Sequence, residues 1–277
     1  MIEELSLFVL LFFSALASYY DLKTTEIPDS IPAFLVTFFV LLLIVKYFES
    51  PVLLLQNLGI GIAYSLLGVL MYLTGQWGGG DAQLLAAYGF SLPLISKFFL
   101  FTPSPPPITF LTNLFLVGAF YMLFYSFVFS LREKSVWEFL RKDLEGKKMK
   151  LFYFFFVVLI GSACIQYFFL QDINFTLTSS ASLSLSLVCL YIVWRFAVAV
   201  EKKGFRKKVK VSELKVGDVL LKSKRWDGIT EEQLKKIRKS GKKYVWIKTG
   251  VCFAPAFPLS LLVCMFYGNL FFFFLPL

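Results

Sequence analysis

Histidine is absent from this 277-residue chain. Its absence excludes a Ser-His-Asp triad, a Cys-His pair and the commonest zinc sites. Cysteine is scarce: Cys164, Cys189, Cys252 and Cys264 show no Cys-x-x-Cys spacing, and all lie in or beside apolar runs. They read as buried thiols rather than a disulfide framework or a metal cluster. No metal and no cofactor is expected. Charge is scarce too, at 17% of residues, and lopsided: 18 acidic against 28 basic, a formal net charge of +10. What the chain has in abundance is apolar. Hydrophobic residues make up 58%, with 34 Phe among them. A water-soluble globule of this size cannot hide so much apolar surface.

A bilayer core takes about 20 apolar residues as a helix. Eight runs qualify as candidates: Leu5–Tyr20, Ile31–Phe48, Val52–Thr74, Asp81–Phe101, Ile108–Leu131, Leu151–Leu170, Ser182–Val200 and Ala254–Leu275. The fourth contains Pro93 and Lys97, which favour an early end. The first follows Glu3 and Glu4 rather than a basic segment and has no small-residue cleavage pattern, so it reads as a structural helix, not a signal peptide.

Orientation follows from Lys and Arg in the loops. Segments 132–150 and 201–253 hold 24 of the 28 basic residues, while loops 102–107 and 171–181 hold none. Both ends of the chain are therefore expected outside, with the basic segments in the cytoplasm. The fold class is an all-α polytopic membrane protein of about eight transmembrane helices, N-out and C-out, in the cell membrane. Residues 132–150 read as a short basic amphipathic helix beside the membrane. Residues 201–253 read as a small cytoplasmic α/β subdomain. Val209–Val211, Val216–Leu221 and Tyr244–Ile247 are strand-like, Gly217-Asp218 marks a turn, and a helix is capped by Thr230 with Gln233 and closed by Gly241. The anionic cytoplasmic leaflet accounts for its charge. No nucleic-acid partner is expected, because no recognised binding motif is present.

Ionisable residues at membrane depth are costly, so each is a candidate site. Lys46, Glu49, Lys97 and Arg195 lie near helix ends, where the long cations can snorkel. Two aspartates remain. Asp21 closes the first run, and Asp81 opens the fourth after Gly78-Gly79-Gly80. The topology puts both on the same side at similar depth. Two carboxylates within a few ångströms cannot both ionise easily and share a proton. One can then take a proton from water while its protonated partner polarises a scissile carbonyl. The glycines admit close approach of a substrate backbone, an unusual backbone conformation or a hinge. A plainer reading makes Asp81 a helix N-cap after a loop. Asp21 sits at a helix C-terminus, where the dipole disfavours it, so its position wants another explanation.

At these residues the sequence resembles the type IV prepilin peptidases, especially the archaeal prepilin/preflagellin branch of the GxGD membrane aspartic proteases. The first family pattern is an aspartate, a basic residue, then Ile-Pro and Asn or Asp; here Asp21-Leu22-Lys23 leads to Ile27-Pro28-Asp29. The second, GxGD, reads Gly78-Gly79-Gly80-Asp81. The resemblance implies that Asp21 and Asp81 are the catalytic pair, that Gly78, Gly79 and Gly80 form the active-site loop, and that the layout extends from Met1 to about Leu131. It implies prepilin or preflagellin precursors as partners, cleaved after a short basic leader, which Glu26 and Asp29 can attract. Gln83 stands where the family often has Lys. The division expected is a catalytic transmembrane core over 1–131, a basic segment over 132–150, an added helical pair over 151–200, the subdomain over 201–253 and a final helix over 254–277. The portion Pro255-Ala256-Phe257 is similar to a Pro-Ala-Leu motif of other GxGD proteases, although helix initiation at Pro255 is the plainer explanation.

Two alternatives stay open. A presenilin or signal-peptide-peptidase-like protease shares Tyr20-Asp21 and GxGD, but has its aspartates on consecutive spans. A proton-coupled transporter would use a carboxylate pair nearer the midplane.

Overall fold

Inside hydrocarbon only helices and closed barrels satisfy the backbone, so long apolar runs fold as helices. The computed structural model describes residues 1–100, 103–224 and 226–274. Phe101 and Leu275, expected ends of two spans, the first residue of the 102–107 loop, and Arg225 of the basic subdomain lie outside them. Among the described residues six helices are long and apolar enough to cross a membrane. They are α1 (Ile2–Thr24), α2 (Ser30–Tyr47), α3 (Pro51–Leu73), α5 (Pro106–Ser130), α7 (Lys148–Leu170) and α8 (Ile173–Ala199), the last continuing as a π-helical turn Val200–Gly204. The protein is a polytopic all-α membrane protein with a small sheet.

Two runs expected to span are shorter. Helix α4 (Gly79–Ile95) has 17 residues and passes into a 3-10 turn, Ser96–Phe98. Pro93 lies inside its last turn, where a residue without an N–H weakens the ladder. Helix α10 (Ala256–Phe266) has 11 residues. It stops before Gly268, whose left-handed backbone (φ 70°) ends helices at no steric cost. The described residues thus supply six helices of spanning length where the hydropathy pattern led to about eight.

Two compact units are present, Met1–Phe124 with Lys208–Leu277, and Tyr125–Lys207. Helix α4 is the best-buried helix of the first unit; Leu84, Leu85, Ala87, Tyr88, Leu92 and Ile95 are all fully buried. Tyr88 stacks on Phe110 at 4.7 Å and donates its hydroxyl hydrogen bond to Ser14 Oγ on α1 at 2.9 Å. Small residues, Gly61 and Gly68, let α3 approach α4. A Cβ on Gly61 would fall 2.1 Å from the Phe90 ring, and one on Gly68 would fall 2.6 Å from the Ala82 carbonyl oxygen. Gly89 completes the contact from α4, facing Tyr64 and the Gly61 Cα. Lys46 and Lys97 do not merely snorkel. Lys46 pairs with Glu3 at 2.8 Å, and Lys97 bridges Glu3 and Glu4 at 2.5 and 2.6 Å. These pairs join the start of α1 to the ends of α2 and α4.

The basic subdomain, which belongs to this unit from Lys208 onward, forms a three-stranded sheet in the order β1-β3-β2, with β1 Arg206–Lys210, β2 Val219–Leu220 and β3 Tyr244–Lys248. Strands β2 and β3 run antiparallel, with Val219 opposite Lys248. Helix α9 (Glu231–Lys239) covers it through Leu234, which packs with Leu214, Ile229 and Ile247. The strand at 216–221 is shorter than the sequence pattern implies, because Gly217 takes a left-handed turn (φ 93°). Thr230 and Gln233 form the reciprocal capping box that their spacing foretells. Thr230→Ala should cost about 1 kcal/mol of local stability. Hydrogen exchange of the first-turn amides of α9 in the full chain would show the loss.

In the second unit, α6 (Lys134–Glu145) turns Val136 and Leu140 inward against Ala199 and Val200. Arg195, near the end of α8, has a partner in this unit. It grips Asp143 with two hydrogen bonds of 2.7 and 2.6 Å. That guanidinium holds the Asp143 carboxyl below the usual carboxylate range. Helix α7 buries none of its residues, which suits a helix surrounded by lipid. The cysteine expectation holds for Cys252 and Cys264 alone. Cys164 on α7 and Cys189 on α8 are exposed, because those helices present most of their surface outward.

Candidate active site

Asp21 lies in the last turn of α1 and is 7% exposed. Its placement at a helix C-terminus is explained by a partner from the far end of the chain. The backbone N–H of Ala254 donates to Asp21 Oδ2 at 2.9 Å, in a buried contact. Ala254 is fully buried and directly precedes Pro255, the N-cap of α10. The carboxylate at one helix end is thus met by a donor at the start of another, where the dipole favours an anion. Pro255 begins a helix, as the plainer sequence reading holds, and that same helix start reaches Asp21.

Asp81 sits in the first turn of α4, and Gly78 is the N-cap. Asp81 is therefore not the cap that the plainer reading makes it, although the first turn still favours a carboxylate. One oxygen, Oδ2, turns back toward Gly78, and the Gly78 backbone interacts with it. The other, Oδ1, is buried and has no hydrogen-bond partner among the described residues. Asp21 lies near enough to repel Asp81. Two carboxylates sixty positions apart are thereby gathered into one place, with one oxygen left unsatisfied. A buried polar atom without a partner carries a desolvation cost of about 1–3 kcal/mol, which a fold retains only for a reason.

The glycine run is not an irregular loop. Gly79 and Gly80 are the first residues of α4, and none of the three has positive φ. Gly80 has a packing role instead. A Cβ there would fall 2.8 Å from the Cβ of Ile27. The two motifs therefore touch each other through Ile27 and Gly80. Gly78 and Gly79 have more room, with nothing nearer than 3.4 Å. Glu26 and Asp29, on the connection between α1 and α2, are exposed, and so is Gln83.

Sequence reasoning did not find the supporting side chains. Trp77, just before the glycines, contacts the rings of Phe115, Phe253 and Phe257 at 6.2, 5.2 and 6.0 Å. It fixes the segment around Ala254 against the start of α4. Gly118 on α5 leaves space for Phe253, whose ring would lie 2.8 Å from a Cβ. An aromatic beside a glycine run carries no signal in one sequence, because its partners come from segments far away.

Two carboxylates near enough for their charges to interact, with Asp81 Oδ1 left without a hydrogen-bond partner, form a site able to hold and pass a proton. Residues 8–131, just under half of the chain, match the type IV leader peptidase family. The match contains Asp21, Asp81 and both motifs, and the family is one of peptidases. Comparison with curated proteins and with solved structures gives no match.

Proposed function

We propose that this protein is a membrane aspartic endopeptidase that removes the leader from type IV pilin-like or archaellin precursors. The observation that carries this reading is the approach of Asp21 and Asp81, with Asp81 Oδ1 buried and unpartnered. One carboxylate takes a proton from the attacking water. Its protonated partner donates to the oxygen of the scissile carbonyl, and the proton then passes to the leaving amine. The Ala254 N–H keeps Asp21 oriented for this exchange. The carboxylates lie at ends of α1 and α4, so cleavage falls at a membrane boundary, where the apolar helix of a precursor begins. A helical peptide bond is protected by its own hydrogen bonds, so the bond cut is in the extended backbone before that helix. The concentration of Lys and Arg in 132–150 and 201–253 supports a cytoplasmic site.

The test is co-expression in membranes with a prepilin and, separately, an archaellin precursor. Mass spectrometry of the product should place the cut between the basic leader and the hydrophobic helix. Failure of folded protein to shorten either precursor would overturn the reading.

Exposed Glu26 and Asp29 are the local acidic groups near a basic leader. Reversing both to Lys should raise KM for basic leaders about tenfold, since losing an attraction made before the chemical step weakens binding. An unchanged KM would remove these residues from leader recognition.

A further inference from the structure

The basic subdomain touches the connections on which both aspartates depend. On the α4 side, the Trp226 indole Nε1 donates to the Gly75 carbonyl at 3.0 Å. The Tyr72 hydroxyl, in the last turn of α3, donates to Asp227 Oδ1 at 2.7 Å. Gly75 has a left-handed backbone (φ 72°), and a Cβ there would fall 2.4 Å from the Lys224 carbonyl oxygen. These contacts grip the α3–α4 connection, which runs on through Trp77 and Gly78 to Asp81. The gripping residue is itself held. The Lys248 ammonium lies 4.3 Å from the Trp226 ring centroid, and its Nζ donates to the Ser223 carbonyl at 2.9 Å.

On the α1 side, Gly217 meets Glu26, whose Oε1 would lie 2.7 Å from a Cβ. Glu26 follows Asp21 by five positions. Gly217 and Gly228 cross so closely that a Cβ on Gly228 would fall 2.5 Å from the Gly217 carbonyl oxygen. Gly217 N–H also donates to the Ile229 carbonyl at 3.1 Å. The turn that meets Glu26 and the segment bearing Asp227 are therefore one piece. Strand β3 then leads directly to Ala254 and its hydrogen bond to Asp21.

We propose that the α/β subdomain is a clamp that sets the separation of Asp21 and Asp81, with Trp226 and Asp227 as positioning residues on the α4 side and Gly217 on the α1 side. Its kinetic consequence rests on the peptidase reading; its geometric consequence does not. Neither Trp226 nor Asp227 touches the carboxylates. They act through Gly75 and Tyr72.

The experiment uses the full chain with the exposed Cys164 and Cys189 changed to Ser and spin labels at Thr24→Cys and Gln76→Cys, both exposed positions beside the two connections. Pulsed electron–electron resonance should give one narrow label–label distance. Trp226→Phe keeps an aromatic ring for Lys248 and loses the donor; Asp227→Ala loses the acceptor; Gly75→Ala wedges the contact apart. Each should broaden the distribution. In the unlabelled protein each should lower kcat for precursor cleavage tenfold or more with KM within about twofold, since small misplacements of reacting groups cost large factors. Asp227→Asn keeps an acceptor oxygen for Tyr72 and should restore both readouts. An unchanged distance distribution in all three variants, run as folded protein by size-exclusion chromatography, overturns the clamp whatever the activity does. Broadening in a protein whose parent cleaves no precursor upholds the clamp and overturns the peptidase reading.

Discussion

Asp21→Asn and Asp81→Asn should each lower kcat/KM for precursor cleavage by at least about 10³-fold, the range for loss of a positioned acid or base. Each amide keeps the volume of the carboxyl it replaces, so packing around α1 and α4 is undisturbed. Neither amide can accept a proton from water and later return it. The structure adds a second expectation. Asp81 Oδ1 has no partner, and Asp21 repels Asp81 across the site. Neutralising one member removes that repulsion, so the thermal midpoint of either variant should equal or exceed that of the parent. Gain of stability with loss of function is the signature of groups held together for chemistry. The Asp21 variant has one constraint, since its amide oxygen must still accept from Ala254 N–H; the side chain can rotate to offer it. Cleavage within tenfold of the parent by either folded variant would show that the pair is not the machinery.

Gly68→Ala should disturb the site through a single methyl group in the membrane core. Its Cβ would stand 2.6 Å from the carbonyl oxygen of Ala82, a backbone atom that cannot rotate away. The clash is relieved only if α3 and α4 separate, and Ala82 is the residue after Asp81. Ala for Gly in a helix interior gains about 1 kcal/mol of propensity. Overpacking costs about 1–3 kcal/mol, so the balance is unfavourable or near zero for stability. Activity should fall further than stability, by tenfold or more, because the shift is transmitted to a catalytic carboxylate. Gly59→Ala, on the same helix with nothing within 4 Å of the new Cβ, is the control and should leave cleavage unchanged. Equal behaviour of the two variants would mean that the α3–α4 spacing does not govern the site.

Much of this molecule was legible before any coordinates. Hydropathy marked the six long helices because each satisfies its own backbone and needs only length and composition. The capping box at Thr230 and the turn at Gly217 were legible for the same reason: their partners lie within a few residues. Gly61 and Gly68 pack α3 against α4, and Gly89 answers them from α4, a pairing no single helix reveals. The short α4 and α10 were overestimated, because hydropathy counts residues and does not see a 3-10 turn or a glycine stop.

The site divides along the same line. By itself the sequence determined that two aspartates stand at apolar-helix ends in two recognisable motifs, that histidine takes no part, and that positive charge gathers in two segments. Only the tertiary structure decided that Ile27 packs on Gly80, that Ala254 N–H holds Asp21, that Trp77 ties α10 to α4, and that Trp226 reaches Gly75. Each of these is a contact between segments tens to hundreds of residues apart. Local propensity and periodicity describe what a segment becomes, while the partner of a buried carboxylate is set by which distant backbone the packed helices bring beside it.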